Sequence, residues 1–384
     1  MFLLFLLIPA VVALGDSGAA AAWHAKRRRA ITREVGRETI DALCVPRPGL
    51  TLGSLVAVDA AQMLIAANAG DWWAPVALTA GAWLSLAQFS LLHDVLHSGA
   101  KHRSKLLFAL SMPAAFGVWL YLDRGHLNHH KFTGDSTIRE LFESSEPDFE
   151  DGDLFFASHR QETRGGVSAD PRTVSISRFA YRKLWGSDPS WNMLVYSTSQ
   201  LAERAALAAH EKLVALAGYN VFFPNKPKKF HDAAASYARY AALVQAILWT
   251  QGGWQAIAYL WLAETAWQLP LFPASSLYFS NHASRATDGV AVGGGLDPAW
   301  PTHSVYDENN PFFDLLCCYA NYHLEHHDFP NMPLWSLRDL RRLAGPAWYP
   351  ASPPWPSIIL DTFQNPITYP AWRRDDLPPL NKAD

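Results

Sequence analysis

Cysteine is scarce: the 384 residues contain three, Cys44, Cys317 and Cys318. Two are adjacent, so neither a zinc spacing nor a disulfide framework can be drawn, and all three read as structural thiols. A dominant sign of charge is also missing. The formal net charge is −3, which gives no electrostatic footprint for nucleic acid. No HExxH occurs, which disfavours a zinc protease. No Glu-x-x-His occurs, which disfavours a carboxylate-bridged di-iron bundle.

What the chain does have is clustered histidine. The stretch NYHLEHHDFPNMP (321–333) packs His323, His326 and His327 into five residues. On a helix, positions i, i+3 and i+4 share a face, so three imidazoles point into one volume. The pattern recurs in HLNHH as His126, His129 and His130, and HDVLH sets His93 and His97 at i, i+4. Neutral imidazole is the commonest biological metal ligand, and an all-nitrogen set suits a first-row transition metal, iron above all where O₂ is used. Eight such donors, at four or so per ion, imply two metals. Asp94, Glu325 and Asp328, with Asn321, are expected to orient imidazoles through their second ring nitrogen. His24, His102, His159, His210 and His231 stand outside any such box and read as surface or interfacial residues.

The hydrophobic share, 49 %, is close to a soluble average but unevenly spread. Residues 51–69 and 72–92 are each about long enough to cross hydrocarbon, for which ~20 apolar residues are needed. Gly70 and Asp71 turn between them, Trp72 and Trp73 read as interface anchors, and Asp59 and Gln62 weaken the first span. Residues 106–122 are apolar but broken by Pro113 and Gly117. The boxes must share a compartment, so this segment reads as interfacial or re-entrant rather than crossing. A long polar insert follows the second box. Residues 191–223 suit an interfacial amphipathic helix, and 236–280, interrupted at Gln251–Gly253, suit a helical hairpin. Two crossings then return the chain to the side of the third box. Basic stretches at Lys26–Arg29, 101–105 and 226–229 place that side in the cytosol. Residues 1–14 are an apolar start followed by small residues, open to reading as a leader, an anchor or an interfacial segment.

HDVLH, HLNHH and HLEHH, in this order and at these distances, resemble the three histidine boxes of the membrane fatty acid desaturase superfamily, with 51–345 alike in organisation. The resemblance implies an all-α integral membrane fold: about four transmembrane helices under a cytosolic helical cap that holds a di-iron site. It divides the chain into an N-terminal leader or anchor with a basic segment (1–50), the desaturase-like membrane domain (51–345) and a C-terminal tail (346–384). It also implies His93, His97, His126, His129, His130, His323, His326 and His327 as iron ligands, with His282 as the additional ligand and His303 as second choice. No catalytic residue beyond these is implied. Two Fe ions, O₂ as co-substrate and an external electron donor, cytochrome b5 or ferredoxin, complete the expected chemistry. No fused haem module is present. A lipid substrate and the bilayer are the other expected partners, nucleic acid is not, and the endoplasmic reticulum is the expected location, with a plastid membrane as the alternative.

Within that superfamily the third box, running into DFPNMP, is similar to the sphingolipid (dihydroceramide) desaturase branch, as are HLNHHKFTGD and the tail 352–368. Asp94 stands where that branch has Glu, and the insert after the second box is longer. EPDFE (146–150) and the HDxxH first box are similar instead to carotenoid ketolases and hydroxylases. Lipid desaturation, carotenoid or lipid hydroxylation and ketolation, and a non-enzymatic metal-binding membrane protein are therefore the functions in play.

Overall fold

The structure is a computed structural model, and it describes residues 19–97, 130, 216, 228–267, 272, 281, 300–307, 310–352 and 355–356. The described residues are helical, with no strand among them. Helices α1 (Ala19–Val35) and α2 (Arg37–Leu43) precede the long apolar helix α3 (Pro48–Asn68). Pro48 starts α3, where its fixed φ suits the first turn and its missing N–H costs no hydrogen bond. After α3 the chain turns through Gly70–Trp72, with Gly70 at φ 48°, into α4 (Trp73–Val76), a π-helical turn (Ala77–Gly81) and α5 (Ala82–His97).

Arg37–Asn68 and Gly70–His97 are long and apolar enough to cross a membrane. The polar residues that weaken the first of these face inward. Asp59 and Gln62 are buried; Gln88 Nε2 donates to Asp59 at 2.8 Å and Gln62 Nε2 donates to the Ser85 hydroxyl at 3.0 Å. Tyr259 donates its hydroxyl to Gln62 Oε1 at 2.8 Å, which ties in the next helix. A polar group facing lipid would have no partner, so turning these residues inward and pairing them makes them compatible with a span. Trp72, at the turn, is 72 % exposed, while Trp73 packs against Trp254.

Helix α6 (Lys228–Ala266) contains one non-helical residue, Gly253, at φ 65° and ψ −159°. Only glycine adopts this conformation without strain, and it falls at the interruption seen in the sequence. Leu248 and Val244, before the break, pack in the cluster around Ala66 and Ala77. At Gly252 the helix meets the end of α3 so closely that a Cβ would lie 2.8 Å from the Ala66 carbonyl oxygen. Beyond the break, Trp254 packs edge-on against Trp73, Tyr259 and Ala263 flank Gly81, and Trp267 lies against Phe89. The second half of α6 therefore follows α4 and α5 back toward the histidines.

At that end sits a layer of short helices: α7 (Pro311–Leu316), α8 (His323–Asp328) and α9 (Leu334–Ala344). Leu334, Leu337, Leu340 and Ala344 on one face of α9 join Trp23, Ile31 and Ile40 of α1 and α2 in a single core with Trp348 and Tyr349. The N-terminal helices thus close over the C-terminal region. His24 and His231 lie inside the protein, 2 % and 7 % exposed, which corrects the surface reading of both. Residues 106–122, most of the polar insert and 191–223 apart from Leu216 lie outside the described residues, as do residues 1–18.

Candidate metal centre

α8 is six residues long, far below the ~12–15 residues at which an isolated helix becomes marginal in water. Its neighbours hold it in place. His323, His326 and His327 share one face, while Leu324, Glu325 and Asp328 are buried in the surrounding protein. Glu325 accepts hydrogen bonds from the Ser304 hydroxyl and from Arg341 of α9. Asp328 accepts from Arg27 Nε at 3.0 Å and is 2.8 Å from His24 Nδ1. Ahead of α8, Asp314 accepts from the Asn321 amide at 2.8 Å and from the Tyr322 hydroxyl at 2.8 Å.

These partners correct one expectation. The partners of Asp94, Glu325 and Asp328 are a hydroxyl, backbone groups, arginines and His24, not the imidazoles of the boxes; Asn321 donates its amide to Asp314. The acids orient the imidazoles indirectly, by fixing the backbone that carries them. A short helix between two turns needs that restraint more than its side chains do.

His93 and His97, one turn apart on α5, His130 and His326 each offer a ring nitrogen, all within 4.8 Å of one another. His326 Nε2 lies 2.9 Å from His130 Nε2. His93 packs against His326 with ring centroids 4.4 Å apart, and His97 against His130 at 4.9 Å. A second pair adjoins this quartet: the Nε2 atoms of His327 and His323 are 3.1 Å apart, and His130 is 4.3 Å from His327 between centroids. His326 and His93 are buried, and His97 and His130 are half-buried. Burial, reinforced by the surrounding imidazoles, pushes His326 well below the ordinary histidine value.

The donor chemistry fits a metal. Bonds of about 2.0–2.1 Å allow two nitrogens on one ion to stand up to about 4.2 Å apart, close to the spread of the quartet. The structure brings together His93, His97, His130, His323, His326 and His327. His126, His129 and His282 lie outside the described residues. His303 is buried, with its backbone N–H donating to the Asn281 carbonyl at 2.8 Å, and is not one of the four residues of the quartet.

The sequence reading missed the supports on α1. His24, Arg27 and Arg28 all bond Asp328, and Arg27 is fully buried among Trp23, Trp300, Trp348 and Tyr349. Lys26–Arg29 had read only as a compartment marker. The available signal was the spacing of Trp23, Arg27 and Ile31, every fourth residue, which places a basic side chain on the apolar face of α1.

Among the described residues, two apolar helices of membrane-spanning length and, where the second one ends, a cluster of imidazoles compatible with metal binding define a helical protein suited to a membrane. The family model described as fatty acid desaturase matches residues 71–358, well over half the chain, and the chain belongs to that family. No curated protein and no solved structure matches it. Membership implies an oxidoreductase of the lipid desaturase or hydroxylase type.

Proposed function

We propose that the protein is a membrane di-iron lipid desaturase that introduces a double bond into an acyl or sphingoid chain. The observation that carries this reading is the convergence of His93 and His97 from α5, His130 from the second box and His326 from α8 on one volume. His93, His97, His130 and His326 would hold one ion; His323 and His327, with His126, His129 and His282, would complete the other. When bound, the irons supply oxygen activation and removal of hydrogen from an unactivated C–H bond.

The protein's own contribution is placement and exclusion. Burial of His326, which pushes its pKa down, favours the unprotonated nitrogen that a metal would need. Burial of the α8 face keeps bulk water from the reacting carbon. α3, α5 and the two halves of α6 are read as four spans, with α1, α2 and α7–α9 as a cytosolic cap, and the substrate chain would enter from the bilayer beside α5. Both hydrogens must come from adjacent carbons, so a small displacement of the chain would favour hydroxylation instead.

Electrons would come from a separate donor, cytochrome b5 or ferredoxin, and the endoplasmic reticulum is the proposed location. DFPNMP after the third box favours a sphingoid substrate. A specific observation favours a second reading: EPDFE after the second box and Asp94 in the first resemble carotenoid ketolases and hydroxylases.

Expression in a yeast lacking its own desaturases, followed by lipid profiling, tests the proposal. New unsaturated acyl or sphingoid chains support it. An unchanged lipid profile, together with oxygenated pigments in a carotene-making host, would replace it with the second reading.

A further inference from the structure

The family match begins at residue 71, so α1 lies wholly outside it. Yet three side chains of α1 bond α8. Arg27 Nε reaches both oxygens of Asp328, at 3.2 and 3.0 Å, while its terminal nitrogen donates to the Trp348 carbonyl at 2.7 Å. Arg28 Nε donates to the backbone carbonyl of Asp328 at 2.5 Å. His24 bridges Asp328 Oδ1, at 2.8 Å, and the Thr302 hydroxyl, at 2.9 Å, so both of its ring nitrogens are engaged. Its ring also lies 5.1 Å from that of His327.

The chemistry of this contact differs from that of a packing helix. Three side chains within five residues of α1 converge on one residue, the last of α8, and take both its carboxylate and its carbonyl. Arg27 and Asp328 have no exposed surface, so neither charge can fall back on water if the other moves. His327 immediately precedes Asp328 in the chain, and His326 is one residue further back. A carboxylate locked at the C-terminal end of a six-residue helix fixes the rotation of the whole helix, and with it the direction of all three imidazoles.

We infer that α1 is part of the metal centre, with Arg27, His24 and Arg28 as positioning residues that act through Asp328 to aim His326 and His327 at the bound metal. This inference rests on the metal reading of the site and adds to it residues that the family match does not cover. Arg27 is irreplaceable by a simple cation here: a planar fork can bond two carboxylate oxygens and a carbonyl together, whereas an ammonium acts as a point charge.

The test is Fe(II) titration of metal-depleted protein in detergent, comparing the wild type with Arg27→Met, Arg27→Lys and the exposed-surface control Arg37→Met. Arg27→Met is expected to weaken apparent iron affinity by about 10–100-fold, as loss of a partner behind a ligand does. Arg27→Lys should fall between it and the wild type, and Arg37→Met should match the wild type. Turnover at saturating lipid should fall with iron occupancy, and excess Fe(II) should restore it in Arg27→Met with KM for the lipid unchanged, a rescue that general destabilisation would not give. If Arg27→Met fails to accumulate, Arg27→Lys decides: weakened iron binding supports the inference, and wild-type binding overturns it. A wild type that binds iron beside an Arg27→Met protein that binds it equally well overturns this inference alone. A wild type that binds no iron overturns the metal reading and this inference with it.

Discussion

Asp94 accepts a hydrogen bond from the backbone N–H of Leu334 at 3.0 Å, across 240 positions of sequence. The residue beside one box histidine thereby caps the helix that follows the third box. Its other oxygen accepts from Thr51 Oγ1 at 2.6 Å, and Trp335 Nε1 donates to the same hydroxyl at 3.2 Å. One carboxylate thus joins α3, α5 and α9 beside the histidine cluster. Asp94→Ala removes both bonds, and the loss of a cap costs about 0.5–2 kcal/mol. Asp94→Asn keeps an acceptor oxygen and should lose less. Thermal unfolding in detergent checks the order; an alanine variant as stable as the wild type would refute it.

Glu325 and Arg341 are the matching lock on the other side of α8. Glu325 has no exposed surface, so Arg341→Ala would leave a carboxylate buried without its cation. Breaking such a pair costs about 3–5 kcal/mol. The expected outcome is a large drop in unfolding temperature with loss of bound iron. Truncation of Arg37, whose partner Asp41 is 68 % exposed, should change stability by less than about 1 kcal/mol.

The break in α6 gives a backbone prediction. Gly253→Ala forces a side chain into a left-handed φ and should cost about 1–2 kcal/mol. Gly252→Ala places a Cβ 2.8 Å from the Ala66 oxygen and 2.9 Å from Ala256, overpacking worth about 1–3 kcal/mol. Both changes should lower stability in detergent while leaving the histidine cluster intact, as read by iron content.

Inside the helix bundle, Tyr259→Phe deletes the bond to Gln62 and little else. Hydrogen bonds between membrane helices average about 0.6 kcal/mol, so the effect on unfolding should be small and activity retained. A collapse of the fold on this change would mean that the polar pairs, rather than packing at Gly81 and Ala66, hold the helices together.

The parts of the fold legible in the sequence were those governed by local rules. Period and length marked α3 and the helix ending at His97; Gly70 and Gly253 marked the turns; helical spacing put His323, His326 and His327 on one face. What stayed hidden depended on distant partners. Only the four-residue spacing from Trp23 and Ile31 marks Arg27 as inward, and that signal is masked because Arg27 sits in a run that resembles a solvated charge cluster. The inward turn of Asp59 and Gln62 was equally invisible, because it requires Gln88, Ser85 and Tyr259 from other helices. The acids beside the histidines suggested direct support of the rings, whereas the fold uses them to pin backbone segments too short to hold themselves.

Whether imidazoles remote in sequence meet to hold iron is read from iron per chain in purified protein, with oxygen-dependent turnover, for the wild type and His326→Ala. About two irons are expected in the wild type, from the requirement for about four donors per ion. His326→Ala should lose iron and activity while its membrane insertion is unchanged. A metal-free wild type that turns over, or a His326→Ala protein with undiminished iron and turnover, would contradict the iron reading.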